Sequence, residues 1–292
     1  MQVFSSGFPD IGPLELGKYA ERAVDYMFIN WKPFLYGIRD GLSAFLLYAE
    51  KLLAWLPWWV LALVVFLLAC KLTSWRSGLV FCGMLFLIGY MGYWESMIFT
   101  LSIVISAVLL SIVVGLTLGI LISQNRVLEK IIRPILDAMQ TTPSFVYLLP
   151  AIMLFSLGKV PAVFATSIYI LPPVVRLTNL GIHQVPQSTI DAADAFGCTT
   201  IQKLCKVQLP QALPAIAAGI NQTTLMSLSM VVITSMIGAK GLGLDILTAI
   251  SFIDIATAAE AGLCVIFIAI ILDRLTQGIA KKFQGEKVRS RK

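Results

Sequence analysis

The chain has 292 residues, of which 58% are hydrophobic and only 13% charged, and its mean hydropathy is +0.86. An average soluble domain carries about 25% charged residues, so this composition excludes a soluble globular protein and indicates a polytopic, all-α integral membrane protein. The net charge of +6 fits basic cytoplasmic loops rather than nucleic acid binding.

In chain order, the first 30 residues hold neither a basic start nor an apolar core of the kind a cleavable signal peptide needs. Residues 1–55 read as an extracytoplasmic tail. Its Leu42, Phe45, Leu46, Ala49 and Leu53 have helical spacing, and Trp55, Trp58 and Trp59 adjoin them. That stretch suits an amphipathic helix in the outer interface, or equally one packed on the bundle.

A bilayer core about 30 Å thick needs roughly 20 helical residues. Seven segments are expected to cross: Leu56–Leu72, Gly78–Tyr93, Met97–Ile122, Leu136–Leu157, Val160–Leu177, Ala212–Ile237 and Glu260–Gln277. The first two, within 56–93, form a peripheral pair, and 94–278 forms the core domain. The fourth is irregular. Its length depends on Gln140, Thr141, Thr142 and Pro143, a break whose freed backbone groups must face protein or water. If the polar loop at 188–210 is cytoplasmic, fifteen Lys and Arg lie on that side, including the basic tail 279–292 with Lys281, Lys282, Arg291 and Lys292. Only Lys159 and Lys240 lie in the opposite loops, and the N-terminal basics are offset by acids such as Asp10 and Glu15. This bias places the N-terminus outside and the C-terminus inside.

Motifs for chemistry are missing. His183 is the single histidine, no Walker A sequence occurs, and the five cysteines form no C-x-x-C pair. No catalytic residue, metal or cofactor is expected, and any ATP hydrolysis belongs to another chain. An ion-coupled transporter would call for acidic or histidine relays inside the spans, which are nearly lacking.

The polar loop, DAADAFGCTTIQKLCKVQLP at 191–210, reads as helix, glycine, helix. Ser188 with Asp191 and Thr199 with Gln202 each have capping-box spacing. Gly197 suits a left-handed helix stop, and Pro210 is expected to end the second helix. The pieces are too short to be stable alone, so their apolar residues need a surface.

Asp191-Ala192-Ala193, Gly197, Val207 and Leu209-Pro210 resemble the EAA loop, E-A-A-x3-G-x9-I-x-L-P, of binding-protein-dependent ABC importer permeases, with Asp for Glu and Val for Ile. The stretches IIRPILDAMQTTPSFVYLLP, LPPVVRLTNLGIHQVP, GINQTTLMSLSMVVITSMIGAKGLG and AIILDRLTQ are similar to the glycine betaine/proline betaine permeases and their choline-uptake relatives. The resemblance implies a type I ABC importer permease bundle in a bacterial inner membrane. It implies three partners: a cytoplasmic ATP-binding subunit, an extracytoplasmic (periplasmic) substrate-binding protein and a second permease copy. Asp191, Ala192, Ala193, Gly197, Leu209 and Pro210 would then couple to the ATPase. A choline-preferring permease and one for amino acids are the alternatives.

For the solute path, the sixth span carries Asn221, Gln222, Thr223, Thr224, Ser227 and Ser229. Asn221, Thr224 and Leu228 share one helical face. Polar groups in a bilayer face the bundle interior or a wet path, though hydrogen bonds between helices would equally account for them. Tyr147, Phe155 and Tyr169 offer aromatic faces to a methylated ammonium, and packing against neighbours is the simpler use for such rings.

Overall fold

The computed structural model describes residues 16–289, and every regular element among these residues is helical. Asp10 and Glu15 of the N-terminal tail, and Arg291 and Lys292 of the basic tail, lie outside the described residues. Helices α1 (Leu16–Asn30) and α2 (Lys32–Trp55) precede α3 (Trp58–Leu72) and α4 (Trp75–Tyr90). The long α5 (Trp94–Gln124) leads to α6 (Arg126–Thr141), a 3-10 turn at Ser144–Tyr147, and α7 (Leu148–Phe155). Then come α8 (Lys159–Tyr169), α9 (Leu171–His183), α10 (Gln187–Ala195) and α11 (Thr200–Lys203). A π turn at Leu204–Gln208 opens into α12 (Leu209–Ser235), followed by α13 (Leu242–Phe252) and α14 (Ile255–Arg289).

Among the described residues, four helical stretches are long and apolar enough to cross a bilayer: Trp94–Gln124, Lys159–His183, Thr200–Ser235 and Ile255–Lys282. Counting each of two bent pairs as one span gives six. Seven spans are expected; six remain because α4 falls short, and Leu56–Leu72 and Leu136–Leu157 count only as parts of bent pairs. The 16 residues of α4 rise only about 24 Å, short of a full crossing. The segment Leu136–Leu157 is not straight, because the chain bends by 110° between α6 and Ser144–Phe155. Pro143 forces Thr142 into an extended conformation (ψ 129°). The carbonyls freed at this break are taken locally. Thr142 donates to the Ala138 carbonyl through its amide (3.0 Å) and hydroxyl (2.8 Å), and the Tyr147 hydroxyl donates to that of Met139. The break thus satisfies itself with protein groups, as a bilayer demands.

Helix α2 does not lie apart on the outer surface; it packs on the bundle. Leu35 and Leu46 are buried, and Ile38 and Leu42 share an apolar hollow of about 330 Å³ with Leu110, Ser167 and Leu171. At its far end Glu50 forms an ion pair with Lys159, whose ammonium also sits 4.3 Å from the Phe99 ring centroid. The two ends together show that α2 runs antiparallel to α8. At Trp55 the chain turns by 97° into α3.

The middle of the bundle is α9, held between α5 and α12 by small residues. A Cβ added at Gly119 would lie 2.6 Å from the Thr178 Cβ, and one at Gly115 would lie 2.9 Å from that of Val174. On the other side Gly219 meets Leu177 and Pro173, and Gly181 meets Ala212 and Ala215. Helices associate in lipid largely by such close backbone approach, since apolar burial gives no drive there. The result is a stiff central element, and the loop at 188–210 grows directly from its end.

Candidate coupling loop and transport path

Helix α10 begins earlier than the Ser188–Asp191 capping pattern suggests. Pro186 (φ −56°, ψ 135°) occupies the N-cap position and no side chain caps the helix. The reason is local: the proline ring already fixes the entry geometry. Asp191 instead accepts a bond from Gln187 Nε2 at 2.8 Å, one turn back on the exposed side. The helix ends at Gly197, whose φ is +72°. The Gly197 amide donates to the Asp194 carbonyl (2.9 Å) and the Cys198 amide to that of Ala193 (3.0 Å), the paired bonds of a Schellman stop. The second capping box does form: Thr199 Oγ1 accepts from the Gln202 amide, and Gln202 Oε1 accepts from that of Thr199. An ion pair from Lys203 Nζ to Asp194 (2.6 Å) ties the two pieces together.

Pro210 does not end the second helix. From Thr200 the chain stays helical to Ser235, passing through the π turn, where the Leu209 amide reaches back to the Leu204 carbonyl. A proline lacks the amide of an α-turn and its ring presses on the carbonyl four residues back, and the wider π turn absorbs both effects. Inside the loop, Ala193 is buried, Leu209 half-buried, and Asp191, Ala192 and Pro210 exposed. Two large apolar side chains stand free: Phe196 is 89% exposed and Ile201 74%. Their exposure on a pinned, polar frame is what a docking surface requires.

The residues expected along the solute path make the following contacts in the structure. Asn221 joins α12 to α14, donating to Asp273 Oδ1 at 3.2 Å and accepting from the Thr276 hydroxyl. Asp273 is held in turn by Gln277 at 2.7 Å. Thr224 is buried and donates to the Ile220 carbonyl of its own helix (2.8 Å). Tyr147 and Tyr169 meet edge to face, 5.7 Å between centroids, and pack against the main apolar core. Phe155 does likewise with Phe164 at 4.9 Å. These four predicted path residues, with Phe155, make helix-to-helix contacts or bonds within their own helix.

A cleft of about 490 Å³ with charged walls opens between α5, α6, α9 and α12, running along α9 from Pro173 to His183. Its walls carry Glu129, Arg133 and Asp137 from α6, Arg176, Asn179 and His183 from α9, and Gln222 from α12. One residue along from Asn221, Gln222 points to this space. The sequence signal for the α6 wall is the run of charges at 126–137 between apolar stretches.

Residues 107–285 match the family described as "Binding-protein-dependent transport system inner membrane component". The chain belongs to this family. The permease is 44% identical to the glycine betaine transport system permease protein OpuAB of Bacillus subtilis, over 92% of this chain and 95% of that one. It is 43% identical to the glycine betaine/proline betaine transport system permease protein ProW of Escherichia coli, over 92% of this chain and 76% of the relative. The glycine betaine/carnitine permease GbuB of Listeria monocytogenes shares 48% over 69% of this chain and 72% of its own length. Among solved structures, the MetNI methionine ABC transporter in an inward-facing conformation superposes with a TM-score of 0.59 at 20% identity, covering 63% of the permease and 93% of that chain. That likeness concerns the fold: the permease has the helical bundle of an ABC importer.

Proposed function

We propose that this chain is the membrane permease of an ATP-driven importer for glycine betaine, proline betaine or a closely related quaternary ammonium solute. Two lines support the reading: relatives at 42–44% identity over 92% of the chain carry these names, and the loop presents Phe196 and Ile201 to the outside of the fold. The second observation carries the mechanism. Gly197 sets the bend, Ala192 and Ala193 allow close approach, and Leu209 and Pro210 fuse the frame to α12. Asp191, bonded through one oxygen to Gln187, is exposed to meet a basic residue of the ATPase. Closure of the ATPase on nucleotide would move this knob, and α9 and α12 would carry the movement to the core as a coupling free energy between two sites.

In this reading the N-terminus faces outside and the C-terminus inside, the binding protein delivers solute from the outer face, and two identical permeases surround one path. The cleft beneath α6 and α9 is the inner part of that path. The chain supplies no hydrolytic chemistry, which belongs to the partner ATPase.

The test is reconstitution of the permease with its ATPase in vesicles containing ATP, with binding protein and labelled glycine betaine outside. ATP-dependent accumulation is expected, with choline competing more weakly. Import in the absence of the ATPase, or accessibility of Phe196→Cys only from outside intact cells, would overturn it.

A further inference from the structure

We infer that the polar contacts between α6 and α9 form the inner gate of the path, with the tightly packed α9 as the driven post and α6, hinged at both ends, as the leaf that opens and closes against it; this rests on the transport reading above. Arg176 on α9 pairs with Asp137 on α6, and one turn further Asn179 Nδ2 donates to Glu129 Oε1 at 2.8 Å. All four residues line the cleft, so these contacts bridge it from wall to wall.

The two helices differ in how they are held. Glycine contacts with α5 and α12 fix α9, and only Gln184, Val185 and Pro186 separate it from α10. In contrast, α6 lies between two breaks, the extended Asn125 (φ −137°, ψ 105°) and the 110° bend at Pro143. Its apolar hold is one cluster, in which Leu136 meets Ile122 and Val175 with Leu128, Ile132 and Met139 partly buried beside it. A helix with a hinge at each end and few apolar contacts is the element most easily displaced.

The chemistry of the contacts suits repeated opening. The Arg176 side chain is 36% exposed and that of Asp137 59%, and pairs this open to solvent add little fixed stability. They define a closed position without locking it. Arg176 Nε and Asn179 Oδ1 are moreover buried with no partner. A spare donor and a spare acceptor therefore point from α9 when the existing contacts are made, and an alternative set of bonds is available when α6 moves. Displacement of α10 reaches Arg176 and Asn179 along a stiff helix, which links the gate to the coupling loop.

The test uses the full complex of permease, ATPase and binding protein in vesicles. Asp137→Asn and Arg176→Gln are each expected to raise ATP hydrolysed per glycine betaine imported by at least about tenfold, with the melting temperature of the complex unchanged. The charge exchange Asp137→Arg with Arg176→Asp should restore coupling to within about threefold of the parent. A second measurement is independent of that exchange. Spin labels at Lys130→Cys and Gln184→Cys, with the native cysteines replaced, should change separation by at least about 2 Å between nucleotide-free and trapped ATP states. Coupling unaltered in both single variants, or an unchanged separation, overturns the gate. If the parent complex itself imports no glycine betaine, the transport reading has failed first, and the two failures are told apart.

Discussion

The bend at Gly197 can be tested by a graded series. Its φ of +72° is a left-handed conformation, and a Cβ built there meets no atom within 4 Å. Steric crowding thus contributes nothing, and only the backbone term is left. Holding an ordinary L-residue left-handed costs about 1–2 kcal/mol, which lowers the population of the bent loop by a factor of roughly 5–30. Asparagine visits this region more readily, and a β-branched residue resists it most. Uptake and solute-stimulated ATP hydrolysis should therefore fall in the order Gly197, Asn, Ala, Val. Gly197→Asn should keep most activity, Gly197→Ala should lose about 5–30-fold, and Gly197→Val should be nearly inactive while still reaching the membrane. The assay is ATP-driven uptake of labelled glycine betaine in vesicles, normalised to permease content. A Val variant as active as the parent would refute the argument. So would an Asn variant as poor as Val, since the loss would then come from a side chain pressed against the ATPase and not from φ.

Three further outcomes are expected. Phe196→Ala removes a side chain whose full burial is worth about 1.5–3 kcal/mol, so ATPase subunit affinity should fall roughly 10–150-fold in a detergent binding titration, with no change in permease melting. Asn221→Ala leaves Asp273 and Thr276 without their cross-helix partner and should cost about 1–3 kcal/mol in thermal unfolding, whereas Gln222→Ala should spare stability and slow uptake. Asp254 caps α14: its carboxylate accepts from the Thr257 hydroxyl (2.6 Å) and from the amides of Thr257 and Ala256. The Thr257 hydroxyl above all holds its pKa below the usual 3.8. The sign follows directly: the cap is fully present above that ordinary value and is lost as pH falls through the lower folded one. Amide exchange in the first turn of α14 should rise across that acidic window, and Asp254→Asn should remove the dependence.

The bilayer makes part of this fold readable from sequence. Long apolar runs such as Met97–Ile122 and Glu260–Gln277 have one physical solution in lipid, and both lie inside single helices. Thr199 with Gln202 announces its cap because both bonds are local. Ser188 with Asp191 carries the same pattern and fails, because Pro186 had already set the entry geometry. Pro210 has the pattern of a stop, yet a helix able to widen by one residue keeps going. The polar residues of α12 were harder still. A sequence gives their face but not their neighbour, and only the position of α14 shows that Asn221 faces Asp273 while Gln222 faces the cleft. The cleft depends on α6 folding back at Pro143, a bend whose angle no periodicity encodes.

Fusion of the second short helix to α12 has a mechanical consequence. The knob carrying Phe196 and Ile201 is anchored at both ends, by α9 on one side and by an unbroken helix from Thr200 to Ser235 on the other. Slack in the connection is thereby limited to Gln184–Pro186 and the turn at Gly197–Thr199. A tug on the knob behaves like a squeeze on the handles of a pair of tongs: it alters the angle between two shafts that already touch along their length, instead of sliding either one alone.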